Sequence, residues 1–370
     1  MNFLIAPTAM KGALSAAQIA IVIQRSLRRR YPKAGIVSIP VADGGNGTLE
    51  CLMNALGGTM YDKEVTGPIP SQKVRARYGI TAHNVGIIES AEAIGLHHIV
   101  PSPETIAQST TRGAGELIVE LAKKNCTEIW VGLGGSATND GGAGMARALG
   151  FNLFDEQNDP LRDGSISLLH LAGITGTSTL SATIGIKLLS DVRNPLLGDA
   201  GATQTYARQK GAGDEQIPYL EAALKNYADV VERHFGKEYR NIPGAGAAGG
   251  LGFGLTAFCN ASLHSGIETV LDLISFDAAV EQCDCIITTE GMLDGQTLFG
   301  KGVAGIARRA QRFDKPVHAF VGRINGDPET LKNELGLASL TYVSPEEVDP
   351  VQAMRDASWL LADAIFHHSF

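Results

Sequence analysis

Short apolar runs alternate with stretches of helical period along most of this chain. That alternation restricts the chain to layered α/β folds with a mainly parallel sheet. Residues 3–6, 35–41, 128–132, 184–189, 285–289 and 317–321 read as strands. Residues 15–30, 47–56, 110–124, 216–235, 303–311 and 351–364 read as helices. Ser15 is placed to cap the first helix, whose closing Arg28-Arg29-Arg30 suits the negative end of the helix dipole. Between residues 59 and 90 the pattern changes to three alternating β runs, 60–65, 74–80 and 85–89. No 20–50-residue period recurs, which excludes a solenoid. A chain of 370 residues predicts two domains. Because both ends share the strand–helix pattern, we expect residues 1–70 plus 265–370 to form one discontinuous, Rossmann-like domain. Residues 71–264 are then an inserted α/β domain with a β-rich portion.

The most informative loop follows Ile129-Trp130-Val131. Residues 134–144 read Gly-Gly-Ser-Ala-Thr-Asn-Asp-Gly-Gly-Ala-Gly and lead into the helix-like Met145-Ala146-Arg147-Ala148-Leu149. A strand, a glycine-rich polar turn and a helix start suit an anion, because the first N–H groups of a helix lack internal partners. Gly134 and Gly135 would let a ligand approach the backbone. Ser136, Thr138, Asn139 and Asp140 add donors and acceptors. A solvated surface turn is the plainer reading of the same composition.

Composition narrows the function. The chain carries 39 acidic against 31 basic residues, a net charge of −8, which gives no support for a nucleic-acid partner. No stretch approaches the ~18 apolar residues of a membrane span, and the N-terminus lacks the basic and apolar segments of a signal peptide. The five scattered cysteines read as reduced thiols, so a cytoplasmic protein is expected.

Two further glycine segments fall short of known motifs. Gly244-Ala245-Gly246-Ala247-Ala248-Gly249 fits G-x-G-x-x-G, but Asn241-Ile242-Pro243 precedes it where a dinucleotide fold needs a strand. Close backbone packing accounts for these glycines better than a nicotinamide site does. Residues 295–302, Gly-Gln-Thr-Leu-Phe-Gly-Lys-Gly, resemble a P-loop without the hydroxyl that meets Mg²⁺. Lys301 at a helix start opposes the dipole, which a bound anion would explain.

Nine segments taken in order resemble the glycerate kinase family that forms 2-phosphoglycerate. They begin with Ala6-Pro7, Lys11-Gly12 and Leu14-Ser15-Ala16, then the run from Val41-Ala42-Asp43-Gly44-Gly45 to Gly47-Thr48. Glu89, Ala91, Ala93 and Gly95-Leu96 follow, with Thr110-Thr111-Arg112-Gly113 and Gly115-Glu116-Leu117. The 134–144 loop, Asp191-Val192 with Asn194-Pro195-Leu196, and Gln209-Lys210-Gly211-Ala212 come next. Residues 243–250, and Glu290-Gly291 with Asp294, Gln296-Thr297 and Gly300-Lys301, complete the set. Where the family opens A-P-D-S-F-K this chain has Thr8, Ala9 and Met10, and where the family has G-E-G-R it has Met292.

The resemblance implies ATP-dependent phosphorylation of glycerate, a small hydroxy acid, with Mg²⁺, in a cleft between two α/β domains. Such chemistry needs phosphate neutralisation and often a carboxylate that takes the acceptor hydroxyl's proton. Asp191 ends a strand run and reads as that base or as a turn cap. Asp43 reads as a second site carboxylate or as a cap on the next helix. Lys11 reads as a phosphate-neutralising group or as a surface lysine, and so does Lys210. Arg112 and Arg193 are possible carboxylate clamps. Glu290 and Asp294 are candidates for Mg²⁺ or ribose, and no metal-ligand set is fixed. With the 134–140 loop and Lys301 as nucleotide contacts, these residues make up the expected site. The losses at Thr8, Ala9 and Met292 keep open a relative that binds a nucleotide or sugar acid without turnover, or a kinase for another hydroxy acid.

Overall fold

The computed structural model describes residues 1–294, 302–344 and 348–370, with Asp294 described as backbone alone. Its strands run, in chain order, Asn2–Ile5 (β1), Gly35–Ser38 (β2), Gly58–Thr66 (β3), Lys73–Thr81 (β4), Val85–Glu89 (β5), Glu128–Gly132 (β6) and Phe151–Phe154 (β7). There follow Gly173–Gly176 (β8), Gly185–Leu189 (β9), Ser262–His264 (β10), Cys285–Asp294 (β11), Val317–Asn325 (β12) and Ser339–Tyr342 (β13). Helices separate most of them, as the alternation requires, and the fold class is α/β. The chain groups into two compact units. One comprises Met1–Asp43, Glu50–Ala55 and Ser265–Phe370, the other Gly44–Leu49 and Leu56–His264.

The first unit carries an all-parallel five-stranded sheet in the order β13-β12-β11-β1-β2. Strand β1, inside the sheet between β11 and β2, is covered on both faces, so Phe3, Leu4 and Ile5 form a continuous apolar run at 0–1% exposure. The chain winds outward from β1 to β2, then returns to β11 on the other side of β1. Strand direction of travel therefore reverses between β1 and β11, the position where doubly wound sheets open a crevice at their carboxyl edge. Helix Ala16–Arg30 packs beside β1 through Ile19, Ile23 and Leu27. Ser15 caps it in a reciprocal capping box with Gln18. The closing arginines do more than meet the dipole: Arg28 donates to the Ala34 carbonyl and Arg30 to the His368 carbonyl.

The second unit holds a six-stranded sheet in the order β10-β9-β6-β5-β4-β3. Strands β5, β6, β9 and β10 are parallel, whereas β3–β4 and β4–β5 are antiparallel. Register aligns Glu89, Gly132, Leu189 and His264 in one row across the sheet. The next residues of β5, β6 and β9 lead into the short helix Ser90–Ile94, the glycine loop and the Asp191 loop. Residues 58–66 lie in this unit, not with the first as a boundary at residue 70 expects, because β3 pairs with β4 along nine positions. A separate β7–β8 hairpin and a short helix, Ala202–Tyr206, occupy segments with no strong period.

Candidate active site

At the reversal point of the first sheet, the chain leaving β1 lies against β11. Ala6 donates to the Ile287 carbonyl at 2.8 Å, and Val41 donates to the Pro7 carbonyl at 2.9 Å. Two threonines lock the turn. Thr8 Oγ1 donates to the Thr289 carbonyl, while Thr289 Oγ1 donates to the Thr8 carbonyl at 2.8 Å. Thr8 Oγ1 also lies 3.4 Å from Glu290 Oε2. Thr8 is therefore 7% exposed, its hydroxyl committed to the fold. Exposed Lys11 and half-buried Asp43 and Glu290 belong to this edge. A Cβ at Gly291 would meet the Lys11 amide at 3.3 Å, so glycine allows the two segments to lie this close. Lys301 and the rest of residues 295–301 lie outside the described residues, as does the Asp294 side chain.

The second sheet's edge is built differently. Gly134 is half-buried and Gly135 exposed, but Ser136, Thr138, Asn139 and Asp140 are buried. Asp140, 1% exposed, accepts from the Thr111 amide at 2.8 Å, Thr111 Oγ1 at 2.9 Å, the Gly144 amide at 3.0 Å and the Gly142 amide at 3.2 Å. The anion at the start of helix Ala143–Ala148 is thus the protein's own carboxylate. Burial pushes the Asp140 pKa up, and these four donors oppose that rise. The expectation that this helix start and the Asp140 side chain receive a phosphate is corrected: the position is already filled. Asn139 donates to Thr203 Oγ1 at 3.2 Å and its amide to Ser109 Oγ at 3.1 Å, while its Oδ1 is buried without a partner. Thr138 Oγ1 faces the Ala248 carbonyl at 3.5 Å. Ser136, Thr138 and Asn139 therefore face the interior, which leaves Gly134 and Gly135 as the loop's approachable part.

The second glycine cluster explains why. Helix Ala247–Cys259 is broken in its first turn, where Ala248, Gly249 and Gly250 all adopt left-handed angles. A Cβ at Gly249 would overlap the Thr138 carbonyl, and one at Gly250 would lie 2.7 Å from Gly141 Cα. One at Gly246 would overlap the Pro195 carbonyl. These glycines fit backbone against backbone, as the packing reading expects. No strand leads into them, and the dinucleotide reading has no support.

Asp191 stands just past the row of aligned residues, half-buried, after Ser190, whose amide donates to the His264 carbonyl at 3.1 Å. Its loop is fixed by Asn194, which donates to the Ala200 carbonyl at 2.7 Å and accepts from Tyr206 at 2.8 Å. The Asn194 carbonyl receives the Gly246 amide at 2.9 Å. The structure therefore brings Asp191 and the 134–136 backbone to the ends of adjacent strands, β9 and β6. Arg112 is not a free clamp: it grips Asp163 through two bonds, shared with Arg147. Arg193 is exposed.

Two further charged groups are buried: Glu89, which the sequence placed in a matched segment without a role, and Lys210, whose surface reading is corrected because it is 3% exposed. Glu89 ends β5 at 6% exposure and accepts from the Leu49 amide at 2.7 Å; burial pushes its carboxyl up to about 7. Lys210, at 3% exposure, donates to the Thr138 carbonyl at 2.7 Å and Ser136 Oγ at 3.1 Å; burial lowers its ammonium to about 7. The available signal was position: Glu89 closes the apolar run 85–88, and Lys210 sits among small residues rather than on a polar helix face. Among the described residues no group of three His, Cys, Asp or Glu side chains is placed to hold a metal, and no helix is long and apolar enough to cross a membrane.

Comparison with known proteins gives the family. The model of the glycerate kinase family matches residues 3–367. Glycerate 2-kinase of Escherichia coli (strain K12) is 39% identical over 330 residues, covering 88% of this chain and 86% of the relative. Glycerate kinase of Bacillus subtilis (strain 168) is 37% identical, covering 97% and 94%. A solved Salmonella typhimurium LT2 structure assigned as glycerate kinase 2 aligns with a TM-score of 0.80 at 37% identity, covering 99% of this chain and 96% of that one. The chain belongs to the glycerate kinase family, a family of phosphotransferases.

Proposed function

We propose that this protein transfers the γ-phosphoryl group of ATP to the C2 hydroxyl of glycerate, forming 2-phosphoglycerate. The observation that carries this reading is Asp191, a half-buried carboxylate at the carboxyl edge of the second sheet, next to a glycine backbone open at Gly134 and Gly135. Ligands of open α/β sheets gather at this edge. Phosphoryl transfer asks the protein for positioning and charge neutralisation more than for covalent chemistry. In this reading Asp191 takes the proton of the acceptor hydroxyl, and Lys11 neutralises phosphate charge. Asp43 is a candidate carboxylate of the first unit's own edge. The Gly134 and Gly135 amides hold an anionic group, with the buried Ser136 directly beneath them. Thr138, Asn139 and Asp140 act beneath that surface by fixing its shape.

Mg²⁺ fits the first sheet's edge only as an ion that arrives with phosphate. It usually keeps several waters and takes one or two protein carboxylates together with phosphate oxygens, so a cage of three side chains is not required. Glu290, half-buried beside the Thr8 staple, is the residue we assign to it. When bound, the ion neutralises charge that develops on the phosphates.

A second reading, binding without turnover, is favoured by one observation. Thr8 is spent on its staple with Thr289, and Met292 is 52% exposed, so two positions where relatives of this family carry polar groups offer none to a ligand. Thermal unfolding with ATP, glycerate or both, set beside a turnover assay, separates the two. Stabilisation with turnover supports the kinase; stabilisation by both ligands without turnover supports the binder.

A further inference from the structure

The buried lysine beneath the glycine loop has no counter-charge in contact. Lys210 lies on the short turn Arg208–Lys210 and reaches the loop from below, where its two acceptors, Ser136 Oγ and the Thr138 carbonyl, are both neutral. Among the described residues it forms no ion pair. The charged group that acts on it is Asp140, whose attraction is weaker than the opposing effect of burial. The Asp140 oxygens are already taken by Thr111, Gly142 and Gly144. Arg208, on the same turn, points away to Asp214 at the surface. An ammonium offers three donors and this one has two partners. A buried cation without a contacting anion is costly.

We propose that Lys210, through the buried Ser136 and Thr138, is a positioning residue for the Gly134–Gly135 surface and that an anionic ligand settling there draws one proton onto its amine. The step is Lys210–NH₂ plus a proton from the buffer giving Lys210–NH₃⁺, with no other bond made or broken. The ammonium holds the Thr138 carbonyl and the Ser136 hydroxyl in place, so the loop is ordered most firmly when ligand is present. The inference rests on the kinase reading for the identity of the anion. Its geometric part concerns Lys210 alone. Burial lowers the Lys210 ammonium to about 7, so above that pH the free protein holds the amine largely neutral.

The test is calorimetric titration of the full-length protein with glycerate and, separately, with ADP. Each titration is run at pH 8 in HEPES and in Tris, whose ionisation heats differ, so that the difference counts protons. We expect uptake approaching one proton for the ligand that settles on this loop, falling towards none at pH 6, where the amine is already charged. Lys210→Met should abolish the uptake, while Lys210→Arg, permanently charged, should bind without it. Lys210→Arg also serves if the methionine variant does not fold. Binding by the wild type without proton uptake overturns the inference, as does uptake that survives in Lys210→Met. A protein that turns glycerate over but takes up no proton loses only this inference. A folded protein that binds neither ligand loses the kinase reading as well.

Discussion

The carboxyl edges of the two sheets solve the same problem with different materials. In the first unit the edge is opened by topology: the chain's direction of travel reverses between β1 and β11, and the polar groups Lys11, Asp43 and Glu290 stand at it half-buried or exposed. In the second unit the parallel strands β5, β6, β9 and β10 follow one another without reversal. There the edge is made by glycine backbones locked together, and the charges of Glu89, Asp140 and Lys210 lie within the protein. A glycine-rich loop therefore does not by itself mark a ligand cradle. Glycine is equally required where one backbone rests on another.

The largest expected effect asks which edge supplies the base. Asp191→Asn keeps shape but cannot take a proton, and a positioned carboxylate base contributes about 10²–10⁴-fold. That loss should appear in kcat, with KM for ATP nearly unchanged. Asp43→Asn is the counterpart on the first edge. If it abolishes turnover while Asp191→Asn is active, the base belongs to the first edge and the assignment is reversed.

The next contrast separates the loop's packed half from its open half. Gly249 has φ +68° and a Cβ there would overlap the Thr138 carbonyl, so Gly249→Ala should cost on the order of 3 kcal/mol in denaturant unfolding. Gly135 has φ +66° too, but its Cβ would meet the tip of the Asn46 side chain at 2.6 Å, which can swing away. Gly135→Ala should cost about 1 kcal/mol, chiefly for the left-handed backbone, and weaken ligand binding more than stability. Equal stability costs at the two positions would break the distinction.

A slower change with pH comes from Glu89. Its carboxyl rises from 4.5 to about 7 on folding. The folded state therefore binds the proton more tightly, and the stabilising contribution is full below pH 4.5 and lost as pH climbs through about 7. At 1.36 kcal/mol per unit this amounts to about 3 kcal/mol lost by the wild type over that window. Glu89→Gln should remove that component. A Glu89→Gln variant whose stability falls as steeply as the wild type over the window would mean that Glu89 is not the group responsible.

Much of the fold was legible because it is set locally. The helix Ala16–Arg30 has its cap, its apolar face and its basic end in the sequence, and β1 announces burial on both faces by an unbroken apolar run. The pieces that were not legible are short and held by distant partners. Strand β10 has three residues and exists because it pairs with β9, and helix Ala202–Tyr206 has five. For the candidate site, the residue types and their place after strands were readable. Which way the polar side chains face was not. Nothing in Thr138-Asn139-Asp140 tells that Thr111 and the helix amides of Gly142 and Gly144 have already claimed the carboxylate. Two of the four bonds come from Thr111, which lies 29 positions away in sequence.

The product of the reaction is the most direct readout of this chemistry. Proton-coupled phosphorus NMR of the protein incubated with ATP, Mg²⁺ and glycerate reports which hydroxyl is phosphorylated, because a C2 phosphate couples to one carbon-bound proton and a C3 phosphate to two. We predict that the γ-phosphate signal of ATP declines as a phosphomonoester doublet grows, the pattern of 2-phosphoglycerate. A triplet would contradict the assigned product, and an unchanged ATP spectrum with a folded, ligand-stabilised protein would contradict the kinase reading itself.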